Sequence, residues 1–474
     1  MIKRNHLGSA LVLVLWLVIV MTMVATVTAR ISRLDGRVSQ LSVERIRCRW
    51  SARAGLETGV ALLMLDDTPT DALTDLWADS PEELKDIPVE GGTFTARVID
   101  ESGKLNLNQV TENQLAMLEN VTEEIIDSLQ DWRDSDQDMR PYGAEEGYYV
   151  NQPYGYSCRD GEFQTVRELL LIRGMDESLL YGNSSVHDTG SAPWIDLMTC
   201  YSAQSNTDAE GNRKININTA NRNSLRNDLS LNDDQITWIE NHRQFRNYSE
   251  LMDSSKQATN NNNNQNNNRP SSSNGTSSSS TQSSGRNNSS NTNSGGQNRQ
   301  SGNNSGRNNR NGPGSQNNQN TNNRSGSGNN TGNDNGSGQN GGDQGTPLDL
   351  SAVLRIANRI CFDDQPYTYG RVNVNTAPFE VLEALFSGRR DIAQSIVTSR
   401  ASKEGGFASF EELRQVSSMT QDVLRSALDS VTLQSGVFQI QSTGTSDATG
   451  QTVRIEAVLN RDEQNGRVLY WRED

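Results

Sequence analysis

The sequence predicts an α+β fold, in which a long N-terminal helix packs on a small antiparallel sheet and a large helical insertion separates the sheet's early and late strands. Three observations carry this. An uncharged apolar run near the start continues into an amphipathic stripe. Strand-like alternation is confined to Thr93–Ile99 and to the stretch beyond Val437. Between them, one helical motif recurs three times.

The run Ser9–Ala29 holds no charged residue. As a helix it spans about 32 Å at 1.5 Å per residue, enough to cross a hydrocarbon core. Lys3 and Arg4 in the leader Met1–Gly8 favour a cytoplasmic N-terminus, although Arg30, Arg33 and Arg37 dilute that bias. A secretory signal peptide and a plain membrane anchor are the bland readings. Against the signal peptide, the apolar run is long and Ala29-Arg30-Ile31 is a poor cleavage site. Past the run, Ile31, Leu34, Val38, Leu41, Ile46, Trp50 and Leu56 recur at helical spacing among Arg, Ser and Glu. One helix is therefore expected from Ser9 to about Leu65, its second half packed on a globular head, with Gly36 weakening it locally.

The repeated motif reads KLNLNQVTENQL from Lys104, KININTANRNSL from Lys214 and RVNVNTAPFEVL from Arg371. The same residue types follow the first Asn of each (Asn106, Asn216, Asn373) at fixed offsets. These are Leu115, Leu225 and Leu382, then Leu129, Ile239 and Ile396, then Arg133, Arg243 and Arg400. A Phe-to-Leu segment closes each unit: Phe163–Leu169, Phe245–Leu251 and Phe407–Leu413. Each unit reads as a short extended stretch followed by helices, too small to bury a core alone, so neighbours must complete it.

The pattern also resembles helix-hairpin-helix modules, and a membrane-anchored DNA-binding protein is the alternative function. Such a module takes phosphate at a helix N-terminus. Here Glu123, Glu124, Asp233 and Asp234 stand at that place in the first two units. The chain has 43 Lys and Arg against 59 Asp and Glu, a net charge of −16, so no nucleic-acid partner is expected. No P-loop, dinucleotide fingerprint or nucleophile–base pairing occurs, and an enzyme is not expected.

Ser254–Gly345 is almost entirely Asn, Ser, Gly, Gln, Thr and Arg. Such a stretch has too little apolar surface to offset its ordering entropy, and disorder is expected over 254–346. Of Cys48, Cys158, Cys200 and Cys361, the last three could supply one disulfide in an oxidising compartment, with no pairing preferred.

The first unit alone carries an extra segment, Asp134 to Glu162. Asp131, Asp134, Asp136, Asp138 and Glu145 are candidate ligands there for a hard cation such as Ca²⁺, which takes six to eight oxygens. The spacing is not that of an EF-hand, and a solvated acidic loop is the plain alternative.

The basic leader ending in Gly8 before an unbroken apolar helix resembles a prepilin-type signal. GKLNLN, DWRDSDQDMRPYGAEEGYY, VNVNTAP and VLYWRE resemble the minor pseudopilin K family of type II secretion systems. The resemblance implies cleavage between Gly8 and Ser9 by a prepilin peptidase, with the apolar helix kept. Leu13 then stands fifth, where most pilins carry a Glu that this family lacks. Leu11, Leu13 and Trp16 become membrane and filament contacts. It further implies a pilin-like core, bound calcium, a place in the inner membrane with the body in the periplasm, and a tip position in the pseudopilus. The implied partners are the I and J minor pseudopilins and the major pseudopilin. The family pattern has fewer NxN units and no long Asn/Ser tract. The expected organisation is leader 1–8, helix 9–66 with 9–29 crossing the membrane, and a core from 67–103 and 431–474. Repeats one and two occupy 104–253, and repeat three occupies 347–430.

Overall fold

The computed structural model describes residues 7–78, 80–182, 192–208, 211–256, 345–463 and 466–474. These belong to one compact unit. A second unit, Asn260–Gly341, lies outside the described residues, and so do the first six residues of the leader and most of the span expected to be disordered.

A single helix runs from Leu7 to Leu65 and continues through Gly36, where an added Cβ would meet nothing within 4 Å beyond the helix's own backbone. It is the one helix among the described residues long and apolar enough to cross a membrane. No side chain from Leu11 to Ser42 is buried.

The C-terminal half packs on the sheet, but not through the expected stripe. Ile31, Leu34, Val38, Leu41, Ile46 and Trp50 all remain exposed, Trp50 at 64%; of the stripe only Leu56 is buried. The buried face is instead Glu44, Cys48, Ser51, Ala52, Leu56, Leu62 and Leu63. The cause is close approach of backbone to backbone. A Cβ on Gly444 would lie 2.0 Å from the Cys48 carbonyl oxygen, and one on Gly55 would lie 2.6 Å from the Phe94 ring. Only small side chains fit such a crossing. Glu44 is tolerated in the seam because the Ser446 hydroxyl donates to it at 2.6 Å and Arg47 pairs with it at 2.8 Å.

The sheet has five strands in the order Ile87–Val89, Gly92–Asp100, Val437–Ser446, Thr452–Asn460 and Arg467–Glu473, every neighbouring pair antiparallel. Early and late chain meet at its centre, where Ile440 stands opposite both Val98 and Ala457. Phe94, Ala96, Val98, Phe438, Ile440, Ile455, Ala457 and Leu459 form the face under the helix, with Trp77 closing one end. The expected α+β architecture is the observed one; the short edge strand Ile87–Val89 is an addition.

The three repeats share one construction. In each, the NxN stretch forms a two-residue parallel ladder with a strand that closes the unit: Leu105 against Met198, Ile215 against Ile360, and Val372 against Val431. The first Asn accepts from the backbone of the second at 2.9, 2.9 and 3.0 Å. The second Asn then clamps the unit's Phe backbone. The Phe163, Phe245 and Phe407 N–H groups donate to Asn108, Asn218 and Asn375 Oδ1, each at 2.8 Å, and the amides donate back to the Phe carbonyls. Arg133, Arg243 and Arg400 donate to carbonyls within or just after the NxN stretch. The repeated Leu and Ile positions are all fully buried in one core that runs through all three units, as their small size requires.

The closing strand corrects one boundary. Ile360–Cys361 pairs with Ile215–Asn216, so the chain after the Asn/Ser tract returns to the second repeat before the third begins. The Leu348 N–H donates to the Leu251 carbonyl at 3.0 Å and the Thr346 N–H to Asp234 at 3.1 Å. The tract thus leaves and re-enters within one unit, which a reading of consecutive segments does not foresee.

Candidate functional site

Two places on this fold invite a functional reading: the bare N-terminal helix and the acidic loop of the first repeat.

Leu11, Leu13 and Trp16 lie in the helix and are exposed, Leu13 at 66%. They continue into the exposed stripe through Ile31, Leu34, Val38, Leu41, Ile46 and Trp50. So large an unpartnered apolar rod needs lipid or another protein around it. Gly8 and Ser9 lie in the first turns of this helix.

The acidic loop grows from the helix Glu123–Arg133. Asp134, Asp136 and Glu145 bring ligand atoms within 4.8 Å of one another, and Glu145, Cys158 and Asp160 do the same. Asp131 belongs to neither group. It is fully buried, its carboxylate receives the Arg140 N–H at 3.2 Å, and Gly143 lies directly against it. Asp138 also stands apart, its N–H donating to Asp136 Oδ1 at 2.9 Å. Cys158 and Asp160 were not foreseen; they enter because the chain returns to the cluster at the far end of the loop. The only sequence signal was a Cys-x-Asp within the same acidic segment.

The electrostatics of the cluster are unfavourable without a cation. Glu145 is only 6% exposed, and neither of its carboxylate oxygens has a hydrogen-bond partner; Asp134 Oδ1 and Asp160 Oδ1 are buried and unpartnered as well. Burial, and then the charges of Asp131, Asp134, Asp160 and Asp136, push the Glu145 carboxyl up to about 7. Burial also raises Asp131 and Asp134. Burial lifts the Cys158 thiol to about 12.

The hairpins of the repeats offer no comparable site. Asn120, Ser230 and Ser387 occupy one equivalent position and all have positive φ, marking the turn before the second helix. In the first two repeats Thr122 and Asn232 cap that helix, taking an amide that a phosphate would need. In the third, Arg389 pairs with Asp391 and Arg390 with Glu383. The four cysteines are unpaired, so no disulfide joins Cys158, Cys200 or Cys361; they sit on separate segments, Cys361 in the strand that closes the second repeat.

Comparison with known proteins agrees with this layout. Two family models described as type II secretion system (T2SS), protein K match residues 103–181 and 372–433, the first and third repeats. These two regions of the chain are similar to type II secretion system protein K. The second repeat and its Asn/Ser tract lie between the regions on which the protein K family models match. Type II secretion system protein K of Klebsiella pneumoniae is 26% identical over 198 residues, 37% of this chain and 60% of that protein. Its counterpart from Pseudomonas aeruginosa is 28% identical over 199 residues, 36% of this chain and 58% of that one. The alignments therefore span about three fifths of these protein K relatives. A chain from the crystal structure of the GspK-GspI-GspJ complex of enterotoxigenic Escherichia coli aligns over 92% of this chain and 99% of its own, at 11% identity and a TM-score of 0.45.

Proposed function

We propose that this protein is a minor pseudopilin at the tip of the type II secretion pseudopilus, acting in assembly of the fibre and not as a catalyst. The observation that carries this reading is the single helix that is bare and apolar over its first half and seats a bulky head with its second. Prepilin peptidase cuts between Gly8 and Ser9, and the helix stays in the inner membrane with the head in the periplasm. The fibre forms along the face of Leu11, Leu13 and Trp16, continuing through the stripe to Trp50. A family resemblance supplies the partners: the I and J minor pseudopilins, then the major pseudopilin. The oversized head blocks addition above it.

The acidic loop holds a calcium ion in this reading. The fit rests on the donor set: Asp134, Asp136 and Glu145 converge, and buried carboxylate oxygens there have no hydrogen-bond partner. Bound calcium supplies positive charge that offsets the mutual repulsion of these acids and ties the loop to the helix Glu123–Arg133.

The test is complementation of a strain lacking this chain. Full-length protein restores export of type II substrates, whereas residues 30–474 fused to a cleavable signal do not. Export restored by the head alone would overturn the proposal.

A further inference from the structure

The sheet-packed face of the long helix continues toward the N-terminus into three bare arginines. Arg30, Arg33 and Arg37 stand three and four residues apart and so share one side of the helix. On that same side, about two turns further on, come Glu44 and then Cys48 and Gly55, which the sheet covers. Before Glu44 the face is uncovered, and all three arginines are exposed.

We propose that Arg30, Arg33 and Arg37 form a docking face for the phosphates of anionic phospholipids in the leaflet from which the helix emerges. The proposal rests on the reading that Ser9–Ala29 crosses the inner membrane.

Position supports it. Arg30 follows directly on the charge-free run. At 1.5 Å per residue, Arg33 stands about 6 Å and Arg37 about 12 Å beyond Ala29. The headgroup layer on each side of a bilayer is about 5–7 Å deep. Helical side chains lean toward the N-terminus, so the Arg37 guanidinium reaches back toward that layer. Arg45, about 24 Å beyond Ala29, is out of range.

Charge supports it as well. Among the described residues, Arg30, Arg33 and Arg37 have no ion-pair partner. Arg47, Arg49 and Arg53 on the same helix do, with Glu44, Glu473 and Glu57 at 2.8, 2.6 and 3.5 Å. The one acid between Arg30 and Val43 is Asp35, two residues from Arg33 and from Arg37, and it therefore faces away from both. Three uncompensated positive charges remain on one side of the helix.

Their placement also carries a cost that needs an offset. Lys and Arg are ordinarily kept on the cytoplasmic side of a spanning helix, and three arginines on the exported side oppose that bias. Lipid phosphate supplies the favourable interaction: guanidinium binds it through paired N–H donors and attracts it at the bilayer surface.

The test uses the full-length chain reconstituted into vesicles of equal phosphatidylglycerol and phosphatidylethanolamine. Native mass spectrometry counts the lipids it retains, and flotation after alkaline washing reports insertion. Wild type is expected to retain phosphatidylglycerol preferentially, with millimolar inorganic phosphate unable to displace it. Arg30→Gln, Arg33→Gln and Arg37→Gln together should lower that preference at least about fivefold. Arg49→Gln with Arg53→Gln removes charge that is paired on the head, and should change the preference by less than about twofold. The leader's Lys3 and Arg4 are common to every variant. Equal retention of the two lipids by wild type would overturn the proposal. An unchanged preference in the triple variant would do so too; if that variant also lost fibre assembly, the face would belong to an acidic protein partner. A chain that inserts into no vesicle would remove the membrane reading and this proposal with it, whereas insertion without lipid preference removes this proposal alone.

Discussion

Asn375 and Phe407 are joined by two hydrogen bonds: the Phe407 N–H donates to Asn375 Oδ1 at 2.8 Å, and Asn375 Nδ2 donates to the Phe407 carbonyl at 3.1 Å. Both residues are buried. Asn375→Ala would leave two backbone groups without partners, each costing about 1–3 kcal/mol. The expected outcome is a loss of about 2–5 kcal/mol in denaturant unfolding, with Asn375→Asp intermediate because it keeps the acceptor. The half-buried counterpart Asn108 should cost less.

The helix–sheet crossing gives a paired prediction. Gly444→Ala pushes a methyl against the Cys48 carbonyl and Ala52 nitrogen, at 2.0 and 2.5 Å. It should cost about 1–3 kcal/mol or more, because neither neighbour is a flexible side-chain end. Gly36→Ala meets nothing within 4 Å and should raise local helix stability by about 0.5–1 kcal/mol. Hydrogen exchange along the helix separates the two.

Shortening the Asn/Ser tract should be tolerated. Leu251 and Leu348 are hydrogen-bonded across its two ends, so the second repeat does not need the intervening chain to close. Replacing 257–344 by a polar linker about a tenth as long should leave the fold intact and gain up to about 2 kcal/mol of loop-closure entropy. A collapse of the cooperative transition would show that the tract is structural.

Acidity should stabilise the metal-free protein. The folded-state Glu145 carboxyl titrates near 7 against an ordinary value of 4.5. A raised carboxyl contributes its full stability below the unfolded value and loses it as pH rises through the folded one. Metal-free protein should therefore lose on the order of 1–3 kcal/mol between about pH 4.5 and 7 from this group. Asp71, pushed by burial to about 7, adds a slope of the same sign. Glu145→Gln should flatten the first contribution, and saturating calcium should reverse it. Thermal melts across that pH window with chelator or calcium check both.

The repeats were legible because each fixed offset is a buried contact: Leu382 and Ile396 in the core, Arg400 on the turn carbonyl, Phe407 in the Asn375 clamp. The long helix was legible from the charge-free run and its period. Its packing face was not. Periodicity marks large apolar residues, whereas at the closest part of the helix–sheet crossing the seam takes Cys48, Ser51, Ala52 and Gly55, so the stripe through Trp50 faces outward. Sequence spacing also gathered Asp131 and Asp138 with Asp134, Asp136 and Glu145, whereas of these five the last three alone converge within 4.8 Å, and the Asp131 carboxylate takes the Arg140 N–H. Cys158 and Asp160 come from the loop's return, and a Cys-x-Asp in the acidic segment was their one signal in the sequence.

The central claim is that the apolar helix is kept after processing and placed in a fibre. Mass spectrometry of the mature N-terminus, from cells with and without prepilin peptidase, tests it most directly. The account predicts Ser9 as the first residue only when the peptidase is present. A chain that begins at Met1 in both strains, or one cut near Arg30, would contradict it.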